Sequence, residues 1–131
     1  MQKQKTQTYK DSHTLEDRKK RVQEQLAKYP EMIPIIVEKI PGCKLPQLQK
    51  VKFLVNSSFS FNEFKNTIKK KLNLDEKTST LFMYCGKNLM NERTSYNQQL
   101  DDKLKNIYDQ YKDPEDGFLY LHYADAETFG F

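Results

Sequence analysis

A chain of 131 residues with 37% hydrophobic and 31% charged residues, eight Phe and eight Tyr among them, has the size and aromatic content of one packed domain. Its longest apolar run, Met32 to Val37, contains Pro34 and falls far short of the roughly 20 residues a membrane helix needs, and Lys and Gln stand where an export signal would be apolar. The formal net charge is +4, and the two cysteines, Cys43 and Cys85, lie far apart without a C-x-x-C, which fits a reducing cytosol. A soluble intracellular domain is expected.

Residues 1–9 show no apolar periodicity and read as a flexible arm. From Ser12 the pattern turns helical: Leu15, Val22, Leu26 and Tyr29 scattered among charges predict two short helices, stopped at Tyr29-Pro30. Met32 to Lys39 is rich in β-branched residues and predicts a strand. Pro34 cannot donate there, so its nitrogen must face away from a partner or sit at an edge. Val51 to Val55 predicts a second strand, joined to the first as a hairpin with a long loop.

The clearest helix signal follows. Ser60 and Glu63 form a capping box, Phe59 and Phe64 occupy the positions of a hydrophobic staple, and Phe61, Phe64, Ile68 and Leu72 mark one face. Lys69, Lys70 and Lys71 suit the negative end of that helix dipole. Leu81 to Cys85 is a third strand and Leu89-Met90 a short fourth, separated by turn residues. Leu100, Leu104, Ile107, Tyr108 and Tyr111 predict a last helix, with Asp101 and Asp102 in its first turn and Asp113-Pro114 as its stop. Gly117 to Tyr123 is an aromatic final strand, and Ala124 to Phe131 trails behind as a flexible tail. The fold class is α+β, one sheet with helices crossing one face. Without its first two helices the order ββαββαβ is that of a ubiquitin-like β-grasp.

Catalysis finds little support in these residues. His13 and His122 are the only histidines, and neither stands at zinc-ligand spacing from the cysteines; His122 reads as an ordinary strand residue. Phosphate-binding glycine motifs are missing, and carboxylate pairs such as Asp101-Asp102 fall in polar stretches. Neither metal nor cofactor is expected, and the chain reads as a non-enzyme. Charge is uneven: residues 1–28 carry 8 basic and 4 acidic side chains, residues 29–100 carry 11 and 6, and residues 101–131 carry 3 and 8. Such a basic body could meet nucleic acid, an anionic membrane or acidic peptides. The clusters Arg18 to Arg21 and Lys69 to Lys71 read most simply as solvated helix faces. The strand aromatics of Leu81–Tyr84 and Phe118–Tyr123 read as core, which argues against nucleic acid as a partner.

At the C-terminus, Gly130 stands one residue from the end. A tail glycine is often only a flexible residue; alternatively, without a Cβ its acyl carbonyl is the least hindered to thioester exchange and amine attack, once Phe131 is removed.

Tyr29-Pro30-Glu31-Met32-Ile33-Pro34-Ile35-Ile36-Val37-Glu38-Lys39, Lys52-Phe53-Leu54-Val55, Asp116-Gly117-Phe118-Leu119-Tyr120 and Glu127-Thr128-Phe129-Gly130 are similar, in order, to the signatures of the autophagy ubiquitin-like modifiers. That family includes GABARAP and the microtubule-associated light-chain-3 proteins, and the resemblance covers Tyr9 to Phe131. It implies a ubiquitin-like β-grasp with two additional N-terminal helices (residues 10–29), a core over 30–123 and a conjugation tail over 124–131. It also implies cleavage between Gly130 and Phe131 by a cysteine protease. E1-like and E2-like enzymes then carry Gly130 as a thioester, and its carboxyl is joined to phosphatidylethanolamine. The protein would be a monomer of the cytoplasm that moves to the autophagosome membrane when lipidated.

The resemblance further implies cargo receptors with short aromatic-x-x-aliphatic motifs, which pair with the sheet edge from Lys50 to Leu54. By family position Arg21, Gln25, Pro34, Lys52, Leu54 and Phe118 line the aromatic pocket. Phe53, Val55, Phe59, Phe64, Thr67 and Ile68 line the aliphatic one, and Lys50 and Lys52 meet acidic flanks. The plainer reading of the apolar positions is core, and a pocket floor is also core. The chain departs from the family in Met32, which replaces a basic residue, in Asn56, which replaces a proline, and in longer segments at Glu76–Thr80 and Asn91–Gln99. Two other readings remain: a ubiquitin-like peptide-binding module that is unlipidated or joined to proteins, and a basic RNA- or membrane-surface binder.

Overall fold

The computed structural model describes residues 7–75, 77, 79–86, 88–90 and 103–125. Within them the order is α1 (Tyr9–Ser12), α2 (Leu15–Lys28), β1 (Met32–Lys39), β2 (Lys52–Asn56), α3 (Phe61–Lys71), β3 (Phe82–Cys85), β4 (Asn88–Met90), α4 (Leu104–Tyr111) and β5 (Leu119–Ala124). This is the expected α+β order. The Asn91–Gln99 segment, Leu100, Asp101, Asp102 and the conjugation residues Gly130 and Phe131 lie outside the described residues.

Local chemistry sets the element ends. Thr8 and Asp11 form a capping box at α1, and Thr14 accepts the Asp17 N–H at the start of α2. Ser60 and Glu63 form the expected box at α3: the serine hydroxyl accepts the Glu63 N–H at 3.0 Å, and the carboxylate accepts the Ser60 N–H at 2.8 Å. At the other end Asn73, at φ 59°, lets the Leu74 N–H reach Lys69 O.

The five strands lie in the order β2-β1-β5-β3-β4, with β1 and β5 parallel at the centre and the other pairs antiparallel. Pro34 thus sits in an inner strand. The Val37 N–H donates to Val51 O, so by alternation Ile33, Ile35 and Val37 direct their backbone groups to β2 and Pro34 turns its nitrogen the other way. On that side the pairing with β5 begins only at Ile35, so no ladder bond is lost.

Several expectations need correction. Tyr9, placed in the arm, opens α1 and is buried. The second helix is not short but 14 residues long. Helix α4 starts at Leu104 with Lys103 as N-cap and no acid in its first turn, later than the expected start, and Asp101 and Asp102 lie outside the described residues. Strand β5 starts at Leu119, after Gly117 and Phe118, and ends at Ala124, which is buried rather than part of a tail.

Helices cover both faces of the sheet, not one. Ile33, Ile35, Val37, Leu119, Leu121 and Tyr123 pack with α3 and α4 in the main core. Ile36 faces the other way, into a smaller cluster with Tyr9, Val22 and Phe118 beneath α1 and α2. The strand side chains divide likewise: Met83 and Tyr123 are buried, whereas Phe82, Tyr84 and Tyr120 are only half-buried. The pleat sends alternate side chains to opposite faces, so a strand aromatic is not a core residue by type.

One buried carboxylate fastens the smaller cluster. Asp116 accepts from Arg18 Nε at 2.8 Å, from the Tyr120 hydroxyl at 2.6 Å and from the Phe118 N–H at 2.8 Å. Arg18 also donates Nη1 to His13 O at 2.7 Å, tying the α1–α2 junction to the same point. Gly117, at φ +87°, makes the turn between these residues, and a Cβ there would stand 3.0 Å from Val22 Cγ1. Further along, the Tyr9 N–H donates to Glu38 Oε2 at 2.7 Å, and Glu38 Oε1 lies 3.7 Å from His122 Nε2.

Two outcomes are expected in urea denaturation. Asp116→Ala leaves Arg18 and Tyr120 without their acceptor and lowers stability by about 3 kcal/mol or more. Burial holds the His122 pKa below its ordinary value, with Glu38 opposing the shift. The unfolded chain therefore binds the His122 proton more readily, so stability falls as pH drops through about 6.5 and levels off below the folded-state pKa. His122→Asn shallows that fall.

Candidate functional site

Strand β2 is an edge strand, and the register against β1 divides its side chains between the two faces. Leu54 lies opposite Pro34, and Lys52 opposite Ile36, on the side of α2 and the smaller cluster. Phe53 lies opposite Ile35, and Val55 opposite Ile33, on the side of α3 and the main core. The same alternation turns the backbone groups of Phe53 and Val55 to β1 and those of Lys52 and Leu54 outward. Among the described residues no strand pairs with that outer side. An extended peptide could form main-chain hydrogen bonds there, with side chains falling on both faces of the sheet.

On the α2 side, Arg21 and Gln25 stand four residues apart on one helix ridge, both half-buried. Arg21 donates Nε to Asp17 at 2.9 Å. The Lys52 ammonium is held below the ordinary lysine pKa, first by burial and then by the like charges of Arg21 and Lys50, while Asp17 opposes the shift. This seam between α2 and β2 is thus rich in positive charge. Its floor is Phe118, fully buried, with the Tyr9 ring edge-on at 5.3 Å between centroids. Pro34 is buried as well.

On the α3 side, Phe64 and Ile68 are fully buried and Thr67 is half-buried, its hydroxyl donating to Glu63 O at 3.0 Å. The Phe64 ring meets Phe53 edge-on at 5.8 Å. Phe59 stays exposed just before the helix, and Asn56 closes β2 by accepting the Ser58 N–H at 2.8 Å. Lys50 is exposed ahead of β2.

The expected site residues therefore gather around one edge, six toward α2 and six toward α3, with Lys50 at the strand start. Phe118, Pro34, Phe64 and Ile68 reach it only as floor. Sequence reasoning missed two neighbours. Lys71 Nζ lies 5.9 Å from the Phe53 ring centroid, and Tyr9 supports Phe118 from below. Helical spacing from Phe64 and Ile68 could have signalled Lys71; nothing in the spacing near Tyr9 signals its burial.

Two concavities lie outside this seam, each of about 390 Å³. One, between the β1–β2 loop and the end of α3, includes Lys50 and Lys71. The other, between α1 and the ends of α4 and β5, includes Glu38, His122, Tyr120 and Cys85. Burial pushes the Cys85 thiol up to about 11, which leaves little of the thiolate that nucleophilic chemistry requires. Among the described residues no group of three His, Cys, Asp or Glu side chains could hold a metal ion, and no helix is long and apolar enough to cross a membrane.

Comparison with known proteins gives the family and the fold. The family described as "Autophagy protein Atg8 ubiquitin like" matches residues 17–130. Autophagy-related protein 8D of Oryza sativa subsp. japonica is 35% identical over 122 residues, 93% of this chain and 96% of the relative. Autophagy-related protein 8h of Arabidopsis thaliana is 32% identical over 123 residues, 94% of this chain and 95% of the relative. The crystal structure of Trypanosoma brucei ATG8 superposes with a TM-score of 0.79 at 32% identity, covering 93% of this chain and 97% of that one.

Proposed function

Because the chain belongs to the Atg8 family of ubiquitin-like autophagy proteins, we propose that it is a conjugated modifier whose Gly130 carboxyl is joined to phosphatidylethanolamine and whose β2 edge recruits cargo receptors to the autophagosome membrane. The observation that carries the recruiting half is the open edge of β2, with one set of apolar and cationic residues on each face. A receptor peptide adds a strand along Lys52 and Leu54, drops an aromatic side chain into the α2 seam and sets an aliphatic one against Phe53 and Val55. Lys50, Lys52 and Arg21 favour acidic residues beside those anchors.

The conjugating half rests on the family and on Gly130. A cysteine protease hydrolyses the Gly130–Phe131 bond and frees the glycine carboxylate. The E1-like enzyme joins that carboxylate to the AMP part of ATP, releasing pyrophosphate, its cysteine thiolate displaces AMP to form a thioester, and thiol exchange passes the acyl group to the E2-like enzyme. The ethanolamine nitrogen attacks the thioester carbonyl, the cysteine thiolate leaves, and an amide holds the protein on the membrane. Glycine offers the attacking amine an acyl carbon with no side chain beside it. The chain acts here as substrate, soluble in the cytoplasm before the transfer and membrane-bound after it, and no nucleic acid enters the scheme.

Two variants separate the halves. Gly130→Ala abolishes the phospholipid-bearing form seen by intact-mass analysis of cell extracts while leaving peptide affinity unchanged; a lipidated Gly130→Ala protein overturns the conjugation reading. Leu54→Arg, at the edge itself, weakens an acidic aromatic-x-x-aliphatic peptide at least tenfold in calorimetry while lipid attachment persists. Unchanged peptide affinity in that variant removes β2 as the docking edge.

A further inference from the structure

The loop between β1 and β2, residues 40–51, is tied to the last residues of β5. Ile40-Pro41-Gly42-Cys43 makes its first turn. The Cys43 N–H donates to Ile40 O at 3.1 Å, Pro41 takes the second position, and Gly42, at φ +89°, takes the third, as a type II turn requires. Cys43 is left only 5% exposed. Three bonds then join the loop to the end of the chain's final strand. The Ile40 N–H donates to Tyr123 O at 2.9 Å, and the hydroxyl of the fully buried Tyr123 donates to Pro46 O at 2.7 Å. Cys43 Sγ donates to Asp125 Oδ1 at 3.8 Å, and the same sulfur accepts the Leu45 N–H at 3.4 Å. Leu48, further along the loop, belongs to the main core, as Tyr123 does.

From these bonds we infer that Cys43 is a positioning residue for processing of the tail: its thiol holds the carboxylate of Asp125 and so fixes the tail's root one residue beyond β5. The inference rests on the processing reading given above and names the part of the body that presents the tail. Only five residues, Ala126 to Gly130, separate that root from the bond to be cut, a span of about 17 Å at most. A protease that grips both the body and the tail must order whatever lies between them. Each residue it orders costs conformational entropy, and one held beforehand adds nothing to that cost. The clamp is the same in the bound substrate and in the transition state, so it acts on affinity and leaves the chemical step alone. Cys43 and Tyr123 are buried, so their influence on a protease has to pass through the loop and the tail root.

Cleavage of the full chain at Gly130–Phe131 tests this, using a cysteine protease that processes Atg8-family chains and intact-mass readout over a range of substrate concentrations. Cys43→Ala is expected to raise KM about threefold with kcat unchanged, the loss of one weak hydrogen bond. Asp125→Ala is expected to do the same, and the double variant no more than either alone, because all three remove one contact. Cys43→Ser, which keeps a donor, is expected to restore the wild-type KM. Tyr123→Phe releases Pro46 O and loosens the same loop, so it is expected to raise KM as well, and it serves where Cys43→Ala does not fold. An unchanged KM in folded Cys43→Ala, or in Tyr123→Phe where that variant stands in, overturns the inference while the processing reading stands. So does a double variant whose loss is the product of the single losses, since the protease would then be reading Asp125 directly. A wild-type chain that is never cut after Gly130 overturns the processing reading, and the inference with it.

Discussion

The bond set at Asp116 decides where the smaller half of the molecule sits. Helix α2 has few apolar residues to hold it to the sheet, with only Val22 and Arg18 buried along its 14 residues. Area burial of that size could not fix its position against the cost of ordering its charged side chains. A carboxylate bonded to a guanidinium, a phenol and a backbone N–H has a direction as well as an energy. It fixes Arg18 over the start of β5, and so fixes the ridge of Arg21 and Gln25 opposite β2. Width and charge of the α2 seam therefore follow from a residue that touches none of the seam's outer lining.

The other side of the edge is set differently. Phe64 and Ile68 belong to the main core, and α3 is held by that core and by its capping box. One wall of the β2 edge is thus built on hydrophobic packing and the other on a buried ionic junction. These differ in kind: packing has no fixed direction, whereas the junction orients the groups it joins. The pleat of a single short strand joins them by sending Lys52 and Leu54 to one wall and Phe53 and Val55 to the other.

Much of this was legible in the sequence. Ser60 and Glu63 announced α3 because a capping box is a local device whose partners lie three residues apart. Pro34 announced its own constraint, and the β-branched residues of Met32 to Lys39 announced a strand. Tyr9 and the aromatic pattern of β3 misled. The burial of Tyr9 depends on Phe118, more than one hundred residues later, and on Glu38, so no window around it could show the helix. Phe82 and Tyr84 read as core by type, but the strand had two faces and spacing alone could not say which one α3 and α4 would cover. Helix α4 starts at Leu104, later than its apolar spacing suggests, because that spacing does not mark where the cap falls. The site residues, and their division six and six, emerged by resemblance rather than by physics; what the sequence lacked was the register, which sends Lys52 and Leu54 to one face and Phe53 and Val55 to the other.

An open edge strand carries a hazard, since its outward N–H and C=O groups will pair with any extended segment, another copy of the same edge included. Here the answer is electrostatic. Burial first, and then the nearby charges of Arg21 and Lys50, lower the hold of Lys52 on its proton. Two such edges brought together would confront like charges with little water between them, while an acidic segment would relieve the repulsion already present. The same three cations thus oppose self-pairing and favour an acidic partner, and neither effect needs a residue that the other does not use. An edge that selects by charge before it selects by pocket can stay open without pairing to copies of itself.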